Sequence, residues 1–131
     1  MRISKGEYQC KRYIQRYFRK SFTKIRPDFL KDPTTKRNLE IDLYNDSLKL
    51  GVEYNGIQHY EFTPRFHKTY GVFRRQKERD VLKKRLCKEN GVTLIVVPYD
   101  EESIPSYIHS KLRHYLSSRK ERIERVNKEN D

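Results

Sequence analysis

Glu40, Asp42 and Glu53 sit on two strand-like runs of the stretch LEIDLYNDSLKLGVEYNGIQHY, residues 39–60, in a chain whose formal net charge is +12. Carboxylates are hard oxygen donors, the ligands that Mg²⁺ takes and that Mn²⁺ accepts. Metal-assisted hydrolysis of a phosphodiester needs such ligands, a water to deprotonate, and a cation near the charge that develops on phosphate. The spacing supplies the ligands on strands. Leu39, Ile41 and Leu43 alternate with Glu40, Asp42 and Tyr44; Leu48, Leu50, Val52 and Tyr54 alternate with Lys49, Gly51, Glu53 and Asn55. With Asn45-Asp46-Ser47 as the turn, this reads as an antiparallel hairpin with one apolar and one polar face. Pairing Tyr44 with Lys49 sets Asp42 opposite Gly51, with Glu53 its diagonal neighbour within ~8 Å. The backbone carbonyl of Tyr54 is a further oxygen. Two carboxylates on a polar strand face are also ordinary for a soluble protein.

Other elements must bring the remaining groups. Residues 4–22 read as a helix, with Cys10, Ile14, Tyr17, Phe18 and Ser21 on one side and Arg12, Arg16, Arg19 and Lys20 as a basic ridge on another. Glu7 opens it, either pointing toward the sheet or closing a capping box with Ser4. Residues 74–89 read as a second helix, ended by Asn90-Gly91. Gln76, Asp80, Lys83 and Cys87 form a polar stripe along it, with Leu82 and Leu86 beside. Lys83 either reaches the carboxylates or leaves Asp80 to pair with Lys84. His59, after the second strand, is either a general base and phosphate-orienting group or a surface histidine beside Tyr60. His67, His109 and His114 receive no role.

Composition bounds the rest. With 131 residues, 34% hydrophobic and 16 Tyr and Phe, the chain makes one domain with a modest core. Residues 1–118 form that domain and 119–131 a charged tail free to fray. VTLIVVP, 92–98, is a strand covered on both faces, and Ile104, Ile108, Leu112, Tyr115 and Leu116 mark a third helix. The expected fold is α/β, a small mixed β-sheet (hairpin plus a buried strand) flanked by helices. Two cysteines are too few for a disulfide scaffold, and no apolar run spans a membrane or forms a leader, so an intracellular, reduced protein is expected. Formal charge runs +8 over residues 1–31, −3 over 32–63, +7 over 64–90, −3 over 91–110 and +3 over 111–131. Basic blocks bracketing an acidic one suit a phosphate backbone.

Taken in order, SKGE, RPDFL, LEIDLY, LGVEYNGIQHYEF and RRQKERDVLKKRLCKENGVTLIVVPY resemble the PD-(D/E)XK, restriction-endonuclease-like nuclease superfamily, in particular small single-domain proteins similar to very-short-patch repair endonucleases. The resemblance spans residues 4–99. It implies a restriction-endonuclease-like fold and Mg²⁺-dependent cleavage or nicking of nucleic acid, DNA favoured over RNA, by a monomer or homodimer. Position by position, Asp42 and Glu53 would be metal ligands and Glu7 the supporting helix glutamate. Asn55 stands where the pattern has lysine; Lys83, or else Lys49, would substitute. His59 and Gln76 complete the candidate catalytic set, and Arg74, Arg75 and Arg79 join the first-helix ridge as phosphate contacts. A rival alignment takes Pro27-Asp28 as the first motif. If no lysine substitutes, the chain is a nucleic-acid-binding module whose catalysis has lapsed. A third reading has the acidic patch bind a basic partner chain.

Overall fold

A computed structural model describes residues 3–130; Met1, Arg2 and Asp131, inside the expected domain and tail bounds, lie outside the described residues. The elements are α1 (Lys5–Phe18), β1 (Thr23–Ile25), β2 (Ile41–Asn45), β3 (Leu50–Asn55), α2 (Tyr70–Glu89), β4 (Thr93–Pro98) and α3 (Ile104–Glu129), with 3₁₀ turns at Asp28–Leu30 and Ile57–His59. One sheet runs β1-β2-β3-β4, antiparallel except that β4 lies parallel to β3. Helix α2 makes the connection that such a parallel pair requires. The expected α/β arrangement, a mixed sheet flanked by helices, is therefore present.

Each face of the sheet has its own core. Leu43, Leu50, Val52, Ile95 and Val97 pack against Cys10 and Ile14 of α1 and Ile108 and Leu112 of α3. On the other face Ile41, Tyr44 and Val92 pack against Cys87 of α2, with Leu86 and Leu94 beside them. The hairpin thus has no freely solvated polar face: α2 covers it. β4 alternates between the two cores, Ile95 and Val97 to one and Leu94 to the other, which explains its unbroken apolar run.

Four local expectations change. Helix α1 stops at Arg19, in the left-handed conformation (φ 53°, ψ 44°), rather than at residue 22. Gln15 Oε1 then accepts the Phe22 N–H at 2.9 Å, turning Phe22 into the core, so Lys20 and Ser21 lie beyond the helix. The segment after it adds the edge strand β1, too short for alternation to reveal. Thr23 faces Tyr44 while Ile25 faces Ile41, so β2 carries one extra residue: a bulge. It puts Ile41 and Tyr44 in one core and Leu43 in the other, against the simple alternation. Finally, α2 begins at Tyr70 behind the cap Thr69, four residues earlier than residue 74, and α3 continues as an exposed helix through Glu129 where fraying was expected.

Candidate functional site

Register decides which side chains meet. Leu43 pairs with Val52, Tyr44 with Gly51 and Asn45 with Leu50, two residues off the expected pairing, because the turn closes over Asp46–Lys49 instead of Asn45–Leu48. Lys49 takes φ 49° in that turn and binds Asp46 Oδ1 at 2.7 Å, away from Glu53. Lys49, expected as an alternative partner for the carboxylates, is thus paired with Asp46 instead. The pairing ends at Leu43 and Val52, so Asp42 and Glu53 are the next residues on neighbouring strands, close enough for the Asp42 charge to raise the Glu53 carboxyl.

Glu53 is 4% exposed and faces α2, where Lys83 Nζ meets its Oε1 at 2.6 Å. Burial pushes its carboxyl up, Lys83 opposes that, and Asp42 and Asp80 add to it. Burial likewise raises Asp42, with Lys83 and the Tyr54 N–H on its carboxylate pulling down. The Tyr54 peptide is thus tied to Asp42 through its N–H. Glu40, beside them in sequence, is held by Lys24 at 3.2 Å and Arg26 at 2.7 Å.

Glu7 approaches from the opposite face. Its N–H donates to the capping Ser4 Oγ, but burial and then the Asp42 charge push its carboxyl up, so the side chain shares the carboxylate environment. Gly6 permits this. A Cβ there would lie 2.2 Å from the Tyr54 ring, so only glycine lets the start of α1 settle on β3. Among the described residues, however, no three His, Cys, Asp or Glu side chains converge closely enough to hold a metal ion. The expected set Glu7, Asp42 and Glu53 shares an electrostatic environment without forming a closed cage.

The polar stripe of α2 takes the inward one of the two arrangements the sequence left open, with Lys83 on Glu53 and Asp80 on His59 rather than on Lys84. Thr63 N–H donates to His67 Nδ1 at 3.0 Å, so the neutral ring carries its proton on Nε2 and donates to Gln76 Oε1 at 2.8 Å. The amide nitrogen of Gln76 is thereby turned to His59 Nε2, 3.4 Å away, and His59 donates from Nδ1 to Asp80 Oδ2 at 2.9 Å. One backbone N–H therefore sets the tautomer of both histidines. His67, given no role by the sequence, is 1% exposed and anchors the relay. Its signal was tertiary: a histidine eight residues after His59 in an irregular loop has no spacing to mark it.

A cleft of about 630 Å³ opens over this face, lined by His59, Gln76, Asp80 and Lys83 from one side and by Arg26, Arg37, Asn38 and Glu40 from the other. Of the expected phosphate contacts, Arg79 lines it and Arg75 a neighbouring groove; Arg74 lies over the Tyr70 ring at 5.8 Å. Arg12 and Arg16 line a different hollow, beside Glu101 and Glu102. Arg26 and Arg37, which no spacing in the sequence marks, border the cleft as well. Asn55, 7% exposed, hydrogen-bonds the Tyr60 phenol, which burial raises, and so has no charge to offer. Asp28, of the rival alignment, accepts from Asn38 Nδ2 at 2.9 Å and holds the loop.

The chain is 47% identical over 135 aligned residues to Uncharacterized protein 307L of Invertebrate iridescent virus 6, covering 90% of this chain and 68% of that one. It is 43% identical to Uncharacterized protein 094L of Frog virus 3, over 83% of this chain and 71% of that one. The chain belongs to the family of these viral proteins. A further relative, Uncharacterized protein 033L of Invertebrate iridescent virus 3, is 46% identical over 85% of this chain, which spans 58% of its length. No family model and no solved structure matches the sequence. Among the described residues no helix is long and apolar enough to cross a membrane.

Proposed function

We propose that this chain is a metal-dependent endonuclease or nickase of the PD-(D/E)XK kind, hydrolysing phosphodiester bonds of nucleic acid, DNA in preference to RNA. One observation carries the reading: buried Glu53, within reach of the Asp42 charge from the neighbouring strand, is met at 2.6 Å by a lysine from a helix. On this reading Lys83 would stand in space for the motif lysine absent at Asn55. The donors suit a hard divalent ion, since both carboxyls are raised and their buried charge is only partly offset by Lys83. Asp42, Glu53 and the Tyr54 carbonyl would hold Mg²⁺, with Mn²⁺ able to substitute, and Glu7 would support the site from α1. Bound there, the ion would supply an activated water and neutralise phosphate charge.

The chain's own residues do the remainder. Lys83, held by Glu53 at the cleft wall, stabilises charge developing on the scissile phosphate. Asp80 orients His59, whose Nε2 is the proton-accepting atom on the cleft side, with Gln76 sharing it. Arg79, Arg26 and Arg37 surround the cleft with cations that suit a polyanion.

The test is cleavage of supercoiled plasmid, linear duplex, branched junction, single-stranded DNA and RNA with Mg²⁺, Mn²⁺ or chelator. Glu53→Gln should abolish metal-dependent cleavage while retaining binding, and Lys83→Ala should slow turnover roughly 10²-fold or more. Full activity in Glu53→Gln would sink the assignment. A second reading, a binding module whose catalysis has lapsed, is favoured by the neutral Asn55 and by the open carboxylate set. It predicts salt-sensitive binding with no cleavage in any metal.

A further inference from the structure

The segment of residues 62–77 carries five Lys or Arg and no Asp or Glu, yet it also holds four of the chain's aromatic rings. It forms the loop before α2 and the first turns of that helix. Phe62, Phe66 and Tyr70 are 40%, 52% and 59% exposed, and none belongs to either core. The Phe62 ring lies nearly parallel over buried His67, 5.9 Å away at 22°, and Tyr70 lies 6.0 Å from Phe62. Arg65 stands over Phe66 at 5.6 Å and Arg74 over Tyr70 at 5.8 Å. Phe66 and Tyr70 thus each keep one face against a cation, Phe62 keeps one against His67, and all three leave other surface to solvent.

Large exposed rings that the core does not use mark an interaction surface. The occupant must alternate flat apolar groups with negative charge at short intervals. An apolar protein partner would bury the guanidiniums over Phe66 and Tyr70 without a counter-charge, which a phosphate supplies. A membrane-surface helix puts apolar and basic residues on opposite faces, and here they interleave on one. A duplex hides its base faces. An unpaired strand offers both base faces and phosphates. The patch also adjoins the cleft: His67, under Phe62, hydrogen-bonds Gln76, which lines it.

We propose that Phe62, Phe66 and Tyr70, with Arg65 and Arg74, form a stacking platform for an unpaired segment of nucleic acid leading into the cleft. This rests on the nucleic-acid part of the proposed function and not on cleavage. It makes the preferred substrate one with a single-stranded region.

The experiment measures binding by fluorescence anisotropy in chelator, using the full chain with labelled oligothymidylate, oligouridylate and a perfect duplex. Phosphatidylserine vesicles serve as a competitor class. The exposed pair Phe66→Ala/Tyr70→Ala should weaken binding of either single strand roughly 10- to 100-fold and of duplex less than about threefold. The salt dependence should stay unchanged in that variant and flatten in Arg65→Gln/Arg74→Gln. Tyr70→Phe, which keeps the ring, should bind as the native chain does. Nucleic-acid binding indifferent to the aromatic pair, or lost equally for duplex, overturns the platform and leaves the nucleic-acid reading standing. Binding to the vesicles with none to any nucleic acid, or no binding at all, overturns both.

Discussion

At the scale of single residues, two carboxyls carry charge that the fold only partly offsets. Burial is the largest influence on Asp42 and raises its carboxyl above the ordinary 3.8, against the pull of Lys83, Lys24 and the Tyr54 N–H. An acid whose folded value exceeds its unfolded one binds protons more readily when folded. Its contribution to stability is therefore present below the unfolded value and is lost as pH rises through the folded one. Ionised Asp42 consequently costs stability at neutral pH. Asp42→Asn should raise the Tm at pH 7, with the advantage shrinking as pH falls through the raised carboxyl range. Thermal unfolding across a pH series checks this, and a Tm lowered at every pH would mean that its contacts with Lys83 and Tyr54 outweigh burial. Glu53→Gln is the poorer stability probe, because it also strips buried Lys83 of its partner.

At the scale of elements, close approach matters more than propensity. The start of α1 rests on β3 only because Gly6 has no Cβ to meet the Tyr54 ring. Gly6→Ala favours the helix by about 1 kcal/mol, but it forces a displacement that overpacking data put at roughly 1–3 kcal/mol. The expected outcome is a net loss of stability in urea unfolding together with weaker metal response, since Glu7 moves with the helix. Unchanged stability would show that Tyr54 yields easily. The bulge in β2 works similarly, as one extra residue re-aims the strand between two cores. Neither device shows in periodicity. The strand alternation reported that Asp42 and Glu53 would neighbour each other, while the turn that closes on Lys49 chose the register.

At the scale of the whole molecule, two cores enclose the site from opposite faces, and each contributes a cysteine. Cys10 is fully buried on the α1 side, and burial, then Asp42 and Glu7, push its thiol up to about 12. Cys87 is 1% exposed on the α2 side, and burial, then Glu53, push it up to about 11. Both thiols should resist alkylation in the native protein at pH 8 and react fully once it is unfolded. Rapid stoichiometric labelling of the native chain would show that the faces open. A divalent ion that binds the folded site should slow whatever labelling proceeds through unfolding, because it lowers the unfolded population.

The amino-acid sequence by itself determined that β2 and β3 are strands of one hairpin, the alternation of β3, the apolar run of β4, the polar stripe of Gln76, Asp80, Lys83 and Cys87 along one side of α2, and the block pattern of charge. Each follows from local periodicity or composition, which act along the chain. Tertiary structure alone decided which lysine meets Glu53, because Lys83 lies thirty residues away and Lys49 is only four. It also decided that the Arg12 and Arg16 ridge turns from the cleft while Arg26 and Arg37 border it. His67 and the rings around it became a site only when the loop folded back on α2. Contacts between distant segments depend on register, bulges and the space a single glycine leaves, and none of these repeats along the chain.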